Sequence, residues 1–240
     1  MIRVEKYGVE YVFEEGENDW FTKERFKNWE NATFVAFDKV KNPSKIAIDI
    51  GAWIGTTSVW LSKNFKHVVA VEADTQSLKF LRSTLFLSGC TNVSICENPI
   101  FCKKTTVVFG TPTGYSGDPL NTSMSKIKDE SDSAVDYTVS TITLSDILER
   151  FSIDPHNIGL IKCDIEGGEE HILQELLEFA ETYDVDLYLS FHISWWKEHT
   201  LQEFEPIFSK WGNRMISDTG SNEVANPFDS VLFMSKCHPL

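Results

Sequence analysis

A short apolar segment followed by two glycines constrains the fold of this chain most strongly. Residues 46–50 read Ile-Ala-Ile-Asp-Ile, and Gly51 and Gly55 follow them closely. Such a run is typical of a buried parallel strand, and the glycines allow a sharp turn that leaves room for a ligand. The next residues have helical spacing, with Thr56 or Thr57 as the expected N-cap. A strand, a glycine turn and a helix in this order predict a nucleotide-type site at the carboxyl edge of a sheet.

The ligand is expected to be an adenosine compound without phosphates. The Gly51-x-x-x-Gly55 spacing is not the three-glycine pattern of dinucleotide enzymes, and no Lys-Ser/Thr pair follows it to hold a triphosphate. A second apolar run ends in Glu72, at about the twenty-residue spacing that lets a carboxylate reach ribose hydroxyls. The negative charge of Asp49 beside the turn would repel a pyrophosphate and attract the ammonium and sulfonium of S-adenosylmethionine. The alternative is an ordinary glycine turn with no ligand.

Two blocks of the sequence resemble the signatures of one methyltransferase family. Residues 49–55, Asp-Ile-Gly-Ala-Trp-Ile-Gly, and residues 161–169, Ile-Lys-Cys-Asp-Ile-Glu-Gly-Gly-Glu, look like the two signature blocks of the FkbM family. The second block is the more specific, because the first occurs throughout class I methyltransferases. The resemblance covers residues 29–189 and implies an S-adenosylmethionine-dependent methyltransferase that acts on hydroxyls of sugars and related metabolites.

The resemblance and the order of the predicted elements indicate one fold. We expect an α/β, Rossmann-like class I methyltransferase fold, with a mostly parallel seven-stranded sheet, helices on both faces and a C-terminal antiparallel hairpin. Residues 1–240 are expected to form a single domain with one sizeable core. Residues 1–43 would be its hairpin and helical cap, and residues 44–240 its Rossmann-like core. Residues 110–134 would be a long loop. The loop residues that could border the site are Tyr115, Asn121 and Met124.

Composition disfavours several classes of function and location. A net charge of -14 argues against a nucleic-acid partner. Neither a membrane span nor a signal peptide is expected, since no apolar segment is long enough and charged residues follow Met1 closely. The five cysteines are odd in number and contain no C-x-x-C pair, which favours a reducing, cytoplasmic location over disulfides or a zinc site. A monomer and a homodimer both stay open.

The expected cofactor contacts come from the spacing and from the resemblance together. Asp49 and Glu72 are expected at the tips of neighbouring strands. The resemblance implies a glutamate ahead of the first strand, which would be Glu30, with a solvated helix acid as the alternative. Glu97 and Asn98 follow the predicted third strand and would border the adenine ring. The full expected set is Glu30, Asp49, Gly51, Ala52, Trp53, Gly55, Thr56, Glu72, Ala73, Glu97, Asn98 and Asp164.

Asp164 and His192 are expected to serve the methyl acceptor, because each ends a predicted strand beside the cofactor pocket. An attacking hydroxyl must lose its proton, and a histidine with a pKa near neutrality can accept it. His192 is therefore the expected base, with a structural histidine as the alternative. Asp164 could orient His192, bind a substrate hydroxyl, act as the base or ligate a divalent ion.

Three charged neighbours of Asp164 have structural interpretations. Lys162 lies two residues earlier on the same strand face, so an ion pair with Asp164 is expected. Glu166 and Glu169 are expected in the first turn of the following helix, where a carboxylate suits the helix dipole.

A metal ion is possible but not favoured. Related sugar O-methyltransferases hold magnesium with carboxylates at these strand ends, and the FkbM pattern has a glutamate two residues before the histidine. Ser190 stands there instead, which removes a hard, charged ligand. Metal-independent base catalysis is therefore expected, and Asp164 and His192 would be the ligands if a metal does bind.

The sequence thus predicts an O-methyltransferase whose acceptor is a sugar or glycan hydroxyl. Trp195 and Trp196 could stack on a sugar ring, although packing in the core is the more ordinary use of at least one of them. The alternatives are an amine, protein or RNA acceptor, and a module that binds the cofactor without activity.

Overall fold

The computed structural model describes residues 1–16, 19–110, 126–128, 137–217 and 230–236. Its strands are β1 (Ile2–Lys6), β2 (Val9–Phe13), β3 (Ile46–Ile50), β4 (His67–Val71), β5 (Val93–Cys96), β6 (Thr106–Gly110), β7 (Lys126–Lys128), β8 (Tyr137–Ser140), β9 (Ile158–Cys163), β10 (Asp186–Ser190), β11 (Met215–Ser217) and β12 (Ser230–Phe233). Its α-helices are α1 (Asp19–Glu24), α2 (Asn31–Val40), α3 (Thr56–Asn64), α4 (Thr75–Leu87), α5 (Leu144–Arg150), α6 (Leu173–Tyr183) and α7 (Glu205–Phe208). Short 3₁₀ helices cover Phe26–Asn28, Pro155–Asn157, Gly168–His171, Ile193–Trp195, Leu201–Phe204 and Gly212–Arg214.

A seven-stranded sheet in the order β11-β12-β10-β9-β3-β4-β5 organises the fold. The five strands from β10 to β5 are parallel neighbours. Only β12 runs against its neighbours β10 and β11 in this sheet. The predicted fold class, with its C-terminal antiparallel hairpin, is therefore confirmed.

Alternate residues of β3 enter two hydrophobic clusters on opposite faces of the sheet, because side chains along a strand point alternately up and down. Ile48 and Ile50 pack in one cluster with Leu173 of α6. Ala47 packs in the other with Trp60 of α3. Both faces of the sheet are covered, as a parallel sheet requires.

The N-terminal residues pack on the core rather than beside it. Strands β1 and β2 form the predicted hairpin, which turns at Tyr7 and Gly8 with positive φ at both positions. Phe34 and Phe37 of α2 share a fully buried cluster with Trp60. This shared core supports the proposal that residues 1–43 are the cap of a single domain.

Strands β6, β7 and β8 form a separate antiparallel sheet, in the order β7-β6-β8. Strand β7 falls inside residues 110–134, which were expected to be loop throughout. Part of that expectation is therefore wrong. Tyr115, Asn121 and Met124 lie outside the described residues. Among the helices that the structure describes, none has both the length and the apolar character needed to cross a membrane.

Candidate active site

The turn after β3 depends on residues with positive φ. Gly51, Trp53 and Gly55 have φ values of 79°, 47° and 92°. A Cβ at Gly51 would lie 1.8 Å from the carbonyl oxygen of Asp164, and one at Gly55 would lie 3.1 Å from Cδ1 of Leu81. The space that a side chain would need at these two positions is therefore filled by the protein itself, while the backbone of Gly51 borders the cavities described below.

Replacing Gly51 by alanine should destabilise the fold by about 2–5 kcal/mol, the sum of the left-handed backbone cost and the clash with Asp164. The matched control is Gly89→Ala, since Gly89 has φ 65° but nothing within 4 Å of the added Cβ. That change should cost only about 1–2 kcal/mol. Urea unfolding of the two variants measures the difference, and equal losses would contradict the proposed close approach.

Asp49 is held by the protein rather than presented to a ligand. Its carboxylate is fully buried. It accepts hydrogen bonds from the hydroxyls of Thr57 at 2.8 Å and Ser58 at 2.5 Å. The Nζ atom of Lys162 lies 3.3 Å from its Oδ1. The expectation that Asp49 attracts the cofactor's cationic groups through a free charge is therefore wrong, because Lys162 compensates that charge.

Lys162 links the ends of β3 and β9. Besides Asp49, its ammonium donates to the carbonyl of Gly51 at 2.5 Å and lies 3.9 Å from Oδ2 of Asp164. Burial lowers the pKa of Lys162, but Asp49 and Asp164 outweigh burial, and the net effect is a raised pKa. The predicted ion pair with Asp164 exists, although Asp49 is the nearer partner. Thr57 serves Asp49, and Gly55 takes the N-cap position of α3 that was expected for Thr56 or Thr57.

Glu72 ends β4 with its carboxylate fixed by main-chain donors. It accepts hydrogen bonds from the N–H groups of Trp53 and Ala73 at 2.8 Å and of Asp74 at 2.7 Å. Burial raises the pKa of Glu72 to about 7, and these three donors limit the rise. A carboxylate fixed in this way is ready to accept hydrogen bonds from a further partner.

Three open cavities meet at the carboxyl edge of the sheet. The Glu72 cavity, of about 600 Å³, is lined by Ile50, Gly51, Trp53, Val71, Glu72, Ala73, Asn98, Pro99, Ile100, Phe109, Lys126, Ile127, Asp164, Ile165, Glu166 and Gly168. The Arg25 cavity, of about 840 Å³, is lined by Phe21, Arg25, Trp29, Glu30, Gly51, Trp53, Thr56, Thr57, Lys162, Asp164 and Glu166. The Ser190 cavity, of about 580 Å³, is lined by Glu30, Ala32, Thr33, Asp164, Glu166, Tyr188, Ser190, His192 and Ser230. Asp164 and Glu166 border all three.

His192 lies among three carboxylates. Its Nδ1 is 2.8 Å from Oε1 of Glu169, and its Nε2 is 3.4 Å from Oε2 of Glu166 and 3.7 Å from Oδ1 of Asp164. Burial lowers the pKa of His192, but the hydrogen bond to Glu169 and the three negative charges raise it to about 10. The expected pKa near neutrality is therefore wrong. At pH 7 His192 is a cation that donates hydrogen bonds and has no free position for a proton.

Glu169 is a residue of the candidate site whose contact with His192 the sequence did not reveal. Its carboxylate is fully buried and also accepts hydrogen bonds from the N–H of Ile165 at 3.1 Å and from Nε1 of Trp196 at 3.4 Å. It was expected in the first turn of an α-helix, but Gly167 has φ 94° and a 3₁₀ turn follows. That turn directs Glu169 back towards the end of β10. The Gly-Gly pair was the only available signal.

Glu30 and Glu166 face the cavities as strongly perturbed acids. Desolvation of its carboxyl group, followed by the charge of Asp164, raises the pKa of Glu30 to about 8 although the residue as a whole is exposed, while Lys162 lowers it. Burial also raises the pKa of Glu166 to about 8, with His192 opposing the rise. Carboxylates that share a site resist ionising together. A cationic ligand here would favour the ionised forms of both.

Asp164, Glu166 and His192 are the described residues that could hold a metal ion. One ligand atom from each lies within 4.8 Å of the others. Glu166 was not among the expected ligands. Ser190, which stands where the family pattern has a glutamate, shares a hydrogen bond of 3.0 Å with Ser230. Binding a metal would require His192 to lose the proton that its carboxylate neighbours favour.

Comparison with known protein families decides the family. The sequence model described as "Methyltransferase FkbM domain" matches residues 49–215, which is more than half of the chain. The chain belongs to the FkbM methyltransferase family. The methyl donor of FkbM methyltransferases is S-adenosylmethionine, so the predicted cofactor is confirmed.

Two solved methyltransferase structures are similar to this chain. The methyltransferase FkbM from Methylobacillus flagellatus KT is similar over 80% of this chain and 44% of that chain, with a TM-score of 0.50 and 17% identity. This FkbM chain thus spans less than half the length of that protein. The precorrin-6y C5,15-methyltransferase from Geobacter metallireducens GS-15 is similar over 89% of this chain and 92% of that chain, with a TM-score of 0.47 and 14% identity. No curated protein sequence matches the chain.

Most of the expected cofactor residues of this FkbM protein border the Glu72 or Arg25 cavity. Those that do are Glu30, Gly51, Trp53, Thr56, Glu72, Ala73, Asn98 and Asp164. Asp49, Ala52, Gly55 and Glu97 are not among the lining residues of the three cavities. Ala52 is buried in the core, and Glu97 is half exposed with its carboxylate 2.6 Å from Arg82.

Proposed function

We propose that this protein transfers a methyl group from S-adenosylmethionine to a hydroxyl of a sugar or related polyhydroxyl compound. The observation that carries the proposal is the position of Asp164, where the Glu72, Arg25 and Ser190 cavities meet. A group at this junction can contact a cofactor in the first two cavities and an acceptor in the third.

The lining of two cavities fits the parts of the cofactor. In the Glu72 cavity, the fixed carboxylate of Glu72 can accept hydrogen bonds from ribose hydroxyls, while Ile100 and Phe109 offer apolar surface to the adenine. In the Arg25 cavity, Glu30 and Asp164 can hold the ammonium, and the guanidinium of Arg25 can hold the carboxylate. Opposite charges thus line the cavity that would take a zwitterionic group.

The Ser190 cavity is the proposed acceptor site. It offers the hydroxyls of Ser190 and Ser230 together with the carboxylates of Asp164 and Glu166. Such a lining can both donate to and accept from several hydroxyls of one ligand. Trp195 borders a separate cavity with Lys126, whose Nζ lies 3.6 Å from the centre of its ring, whereas Trp196 packs against Phe191 in the core.

The residues at the junction have separate tasks in this proposal. When bound, the cofactor supplies a methyl group on a positively charged sulfur. Asp164 accepts the proton of the acceptor hydroxyl, because protonated His192 has no free site for it. His192 donates a hydrogen bond from Nδ1 to Glu169, and its positive charge lies beside the carboxylates of Asp164 and Glu166. Most of the rate gain would come from alignment of the two reactants, with proton removal adding to it.

An amine acceptor is the second candidate, and the charge of the Ser190 cavity favours it. Glu30, Asp164 and Glu166 supply three carboxyl groups there, against the single cation of His192. An ammonium group would be attracted to this lining. An ammonium, like a hydroxyl, would have to lose a proton before it could attack, and the carboxylate of Asp164 could accept that proton from either acceptor.

The test is to incubate the purified protein with S-adenosylmethionine labelled in its methyl group and matched panels of sugars, glycans and amines, with and without a chelator. We expect label to enter a sugar or glycan, and the rate with the chelator to stay within about twofold. Label in amines alone would replace this proposal by the second candidate. Loss of activity with the chelator would contradict metal-independent transfer.

Cofactor affinity should depend on pH through Glu30. Because its pKa is raised to about 8, Glu30 is mostly neutral at pH 6 and about half charged at pH 8. The affinity for S-adenosylhomocysteine, whose ammonium persists between these pH values, should rise by up to about fivefold over that interval. Calorimetric titration at several pH values measures this rise. In Glu30→Gln the rise should shrink, and an unchanged profile would contradict the role of Glu30.

The remaining proposals concern location and partners. The cysteines that the structure describes, Cys90, Cys96, Cys102 and Cys163, are free thiols. Free thiols fit the proposed cytoplasmic location. The net charge of -14 supports the proposal that nucleic acid is not the acceptor. Size-exclusion chromatography with light scattering would decide between a monomer and a homodimer.

A further inference from the structure

A buried lysine joins the N-terminal hairpin to the segment before α2. Lys6 ends β1 with only 4% of its surface exposed. Its ammonium donates to the carbonyl oxygens of Phe26 at 3.0 Å and Lys27 at 3.4 Å, to Oδ1 of Asn31 at 3.0 Å, and to the carbonyl oxygen of Trp29. Four acceptors from one short segment thus surround a single cation.

These contacts flank Glu30 on both sides. Trp29 and Asn31 are its neighbours in the sequence. Glu30 itself has φ 43° and ψ 47°, a left-handed conformation, and its side chain makes no capping hydrogen bond to α2. A non-glycine residue keeps such a conformation only when its surroundings impose it. The ammonium of Lys6 contacts the chain on both sides of Glu30, at the carbonyl of Trp29 and the side chain of Asn31.

In this left-handed conformation, Glu30 lies at the border of two cavities. Glu30 lines both the Arg25 and the Ser190 cavity. The distance of its Oε2 from the Thr33 hydroxyl, 3.4 Å, indicates a weak local hydrogen bond that alone would hold the carboxylate poorly. The direction of this carboxylate therefore depends on the backbone at residue 30.

The ammonium of Lys6 is surrounded by protein groups that attract a positive charge. Its Nζ lies 4.7 Å from the ring centre of Phe34 and 5.2 Å from that of Phe26, within the range of cation–π attraction. Burial lowers the pKa of Lys6 to about 8, and the charge of Glu30 raises it in part. The ammonium is held by carbonyl groups and aromatic faces, so its loss would leave several buried carbonyl oxygens without a donor.

We propose that Lys6 is a positioning residue that aims Glu30 at the amino-acid end of S-adenosylmethionine. The inference rests on the proposed function, because it takes the Arg25 cavity as the site of that end of the cofactor. It assigns the N-terminal hairpin a part in cofactor recognition, although no residue of the hairpin lines the Arg25 cavity.

Two ligands separate positioning from general stability. S-adenosylhomocysteine carries the amino-acid end, whereas 5′-methylthioadenosine has the same nucleoside and sulfur without it. In Lys6→Met, the dissociation constant for S-adenosylhomocysteine should rise by about fivefold, the usual size of a pairwise coupling. The constant for 5′-methylthioadenosine should stay within about twofold. Calorimetry at pH 8, where Lys6 and Glu30 are each about half charged, measures both.

Two control variants separate the effect of Lys6 from a general loss of hairpin stability. Val9 lies opposite Lys6 in the hairpin, so Val9→Ala perturbs the same strand pair without removing any contact of the Lys6 ammonium. It should lower the melting temperature and leave both dissociation constants unchanged. If Lys6→Met fails to fold, Asn31→Ala removes one of the four acceptors and should weaken S-adenosylhomocysteine binding in the same selective way.

The double variant gives the decisive comparison. Adding Lys6→Met to Glu30→Gln should weaken S-adenosylhomocysteine binding no further than Glu30→Gln alone, because no carboxylate remains to be aimed. Additive losses, or equal losses for both ligands, would overturn the positioning role and leave the proposed function intact. A wild-type protein that does not bind S-adenosylhomocysteine would overturn the proposed function and this inference with it.

Discussion

Replacing Asp164 by alanine should lower the rate of methyl transfer at saturating cofactor by about 10²–10⁴-fold, the usual contribution of a positioned proton acceptor. Asp164 lies at the junction of the three cavities, and protonated His192 cannot take its place. Cofactor binding should weaken much less, by about tenfold at most, because the ribose contact of Glu72 and the contact of Glu30 remain. Initial rates with the labelled cofactor and calorimetry with S-adenosylhomocysteine measure the two effects separately.

Glu149→Ala is the matched control for the Asp164 variant. Glu149 is an exposed acid on α5 that borders none of the three cavities. Its removal changes the net charge by the same amount and should leave the rate within about twofold, as for most surface substitutions. Full activity in Asp164→Ala would refute the assignment of the proton acceptor, while a loss of cofactor binding equal to the loss of rate would assign Asp164 to the cofactor alone.

Lys162→Met should lower the free energy of unfolding by about 3–5 kcal/mol, because it leaves the buried Asp49 without its compensating charge. Asp49 and Lys162 are 0% and 3% exposed. Methionine keeps the length and volume of the side chain, so the loss reports on charge rather than on packing. Urea unfolding at pH 7, monitored by circular dichroism, measures the change.

The second substitution in this pair should restore stability rather than reduce it further. Asn at position 49 keeps an acceptor for the hydroxyls of Thr57 and Ser58 but carries no charge. The variant with both Lys162→Met and Asp49→Asn should therefore be about 1–3 kcal/mol more stable than Lys162→Met alone. Strictly additive losses would show that the two residues do not form a coupled pair.

The order of the central strands could be predicted because buried parallel strands appear in the sequence as short apolar runs. The last residues of β3 and of β9 begin the two sequence blocks that resemble those of FkbM methyltransferases, and β4 is an apolar run bounded by polar residues. The pairing of β6, β7 and β8 could not be predicted in the same way. Their contacts join residues with no common periodicity, and β7 has only three residues.

Site residues could be predicted from the sequence where their place in the site depends only on their position along one strand. Glu72 and Asp164 were identified because each directly follows an apolar run at a strand end. Lys162 was assigned to Asp164, its neighbour on the same strand, whereas the register of β3 against β9 places it opposite Asp49. Glu169 was missed because its contact with His192 depends on an irregular turn that no spacing rule describes.

The chain segment that forms the small sheet of β6, β7 and β8 leaves the core and returns to it at neighbouring positions. Ile100 and Ile142 form a parallel bridge, so the chain departs and returns side by side. Phe109, Lys126 and Ile127 of this segment lie on the rim of the Glu72 cavity. A chimera could therefore exchange residues 101–141 for the corresponding segment of another methyltransferase without breaking the seven-stranded sheet. Such grafts would give a direct route to altered ligand preference on an unchanged scaffold.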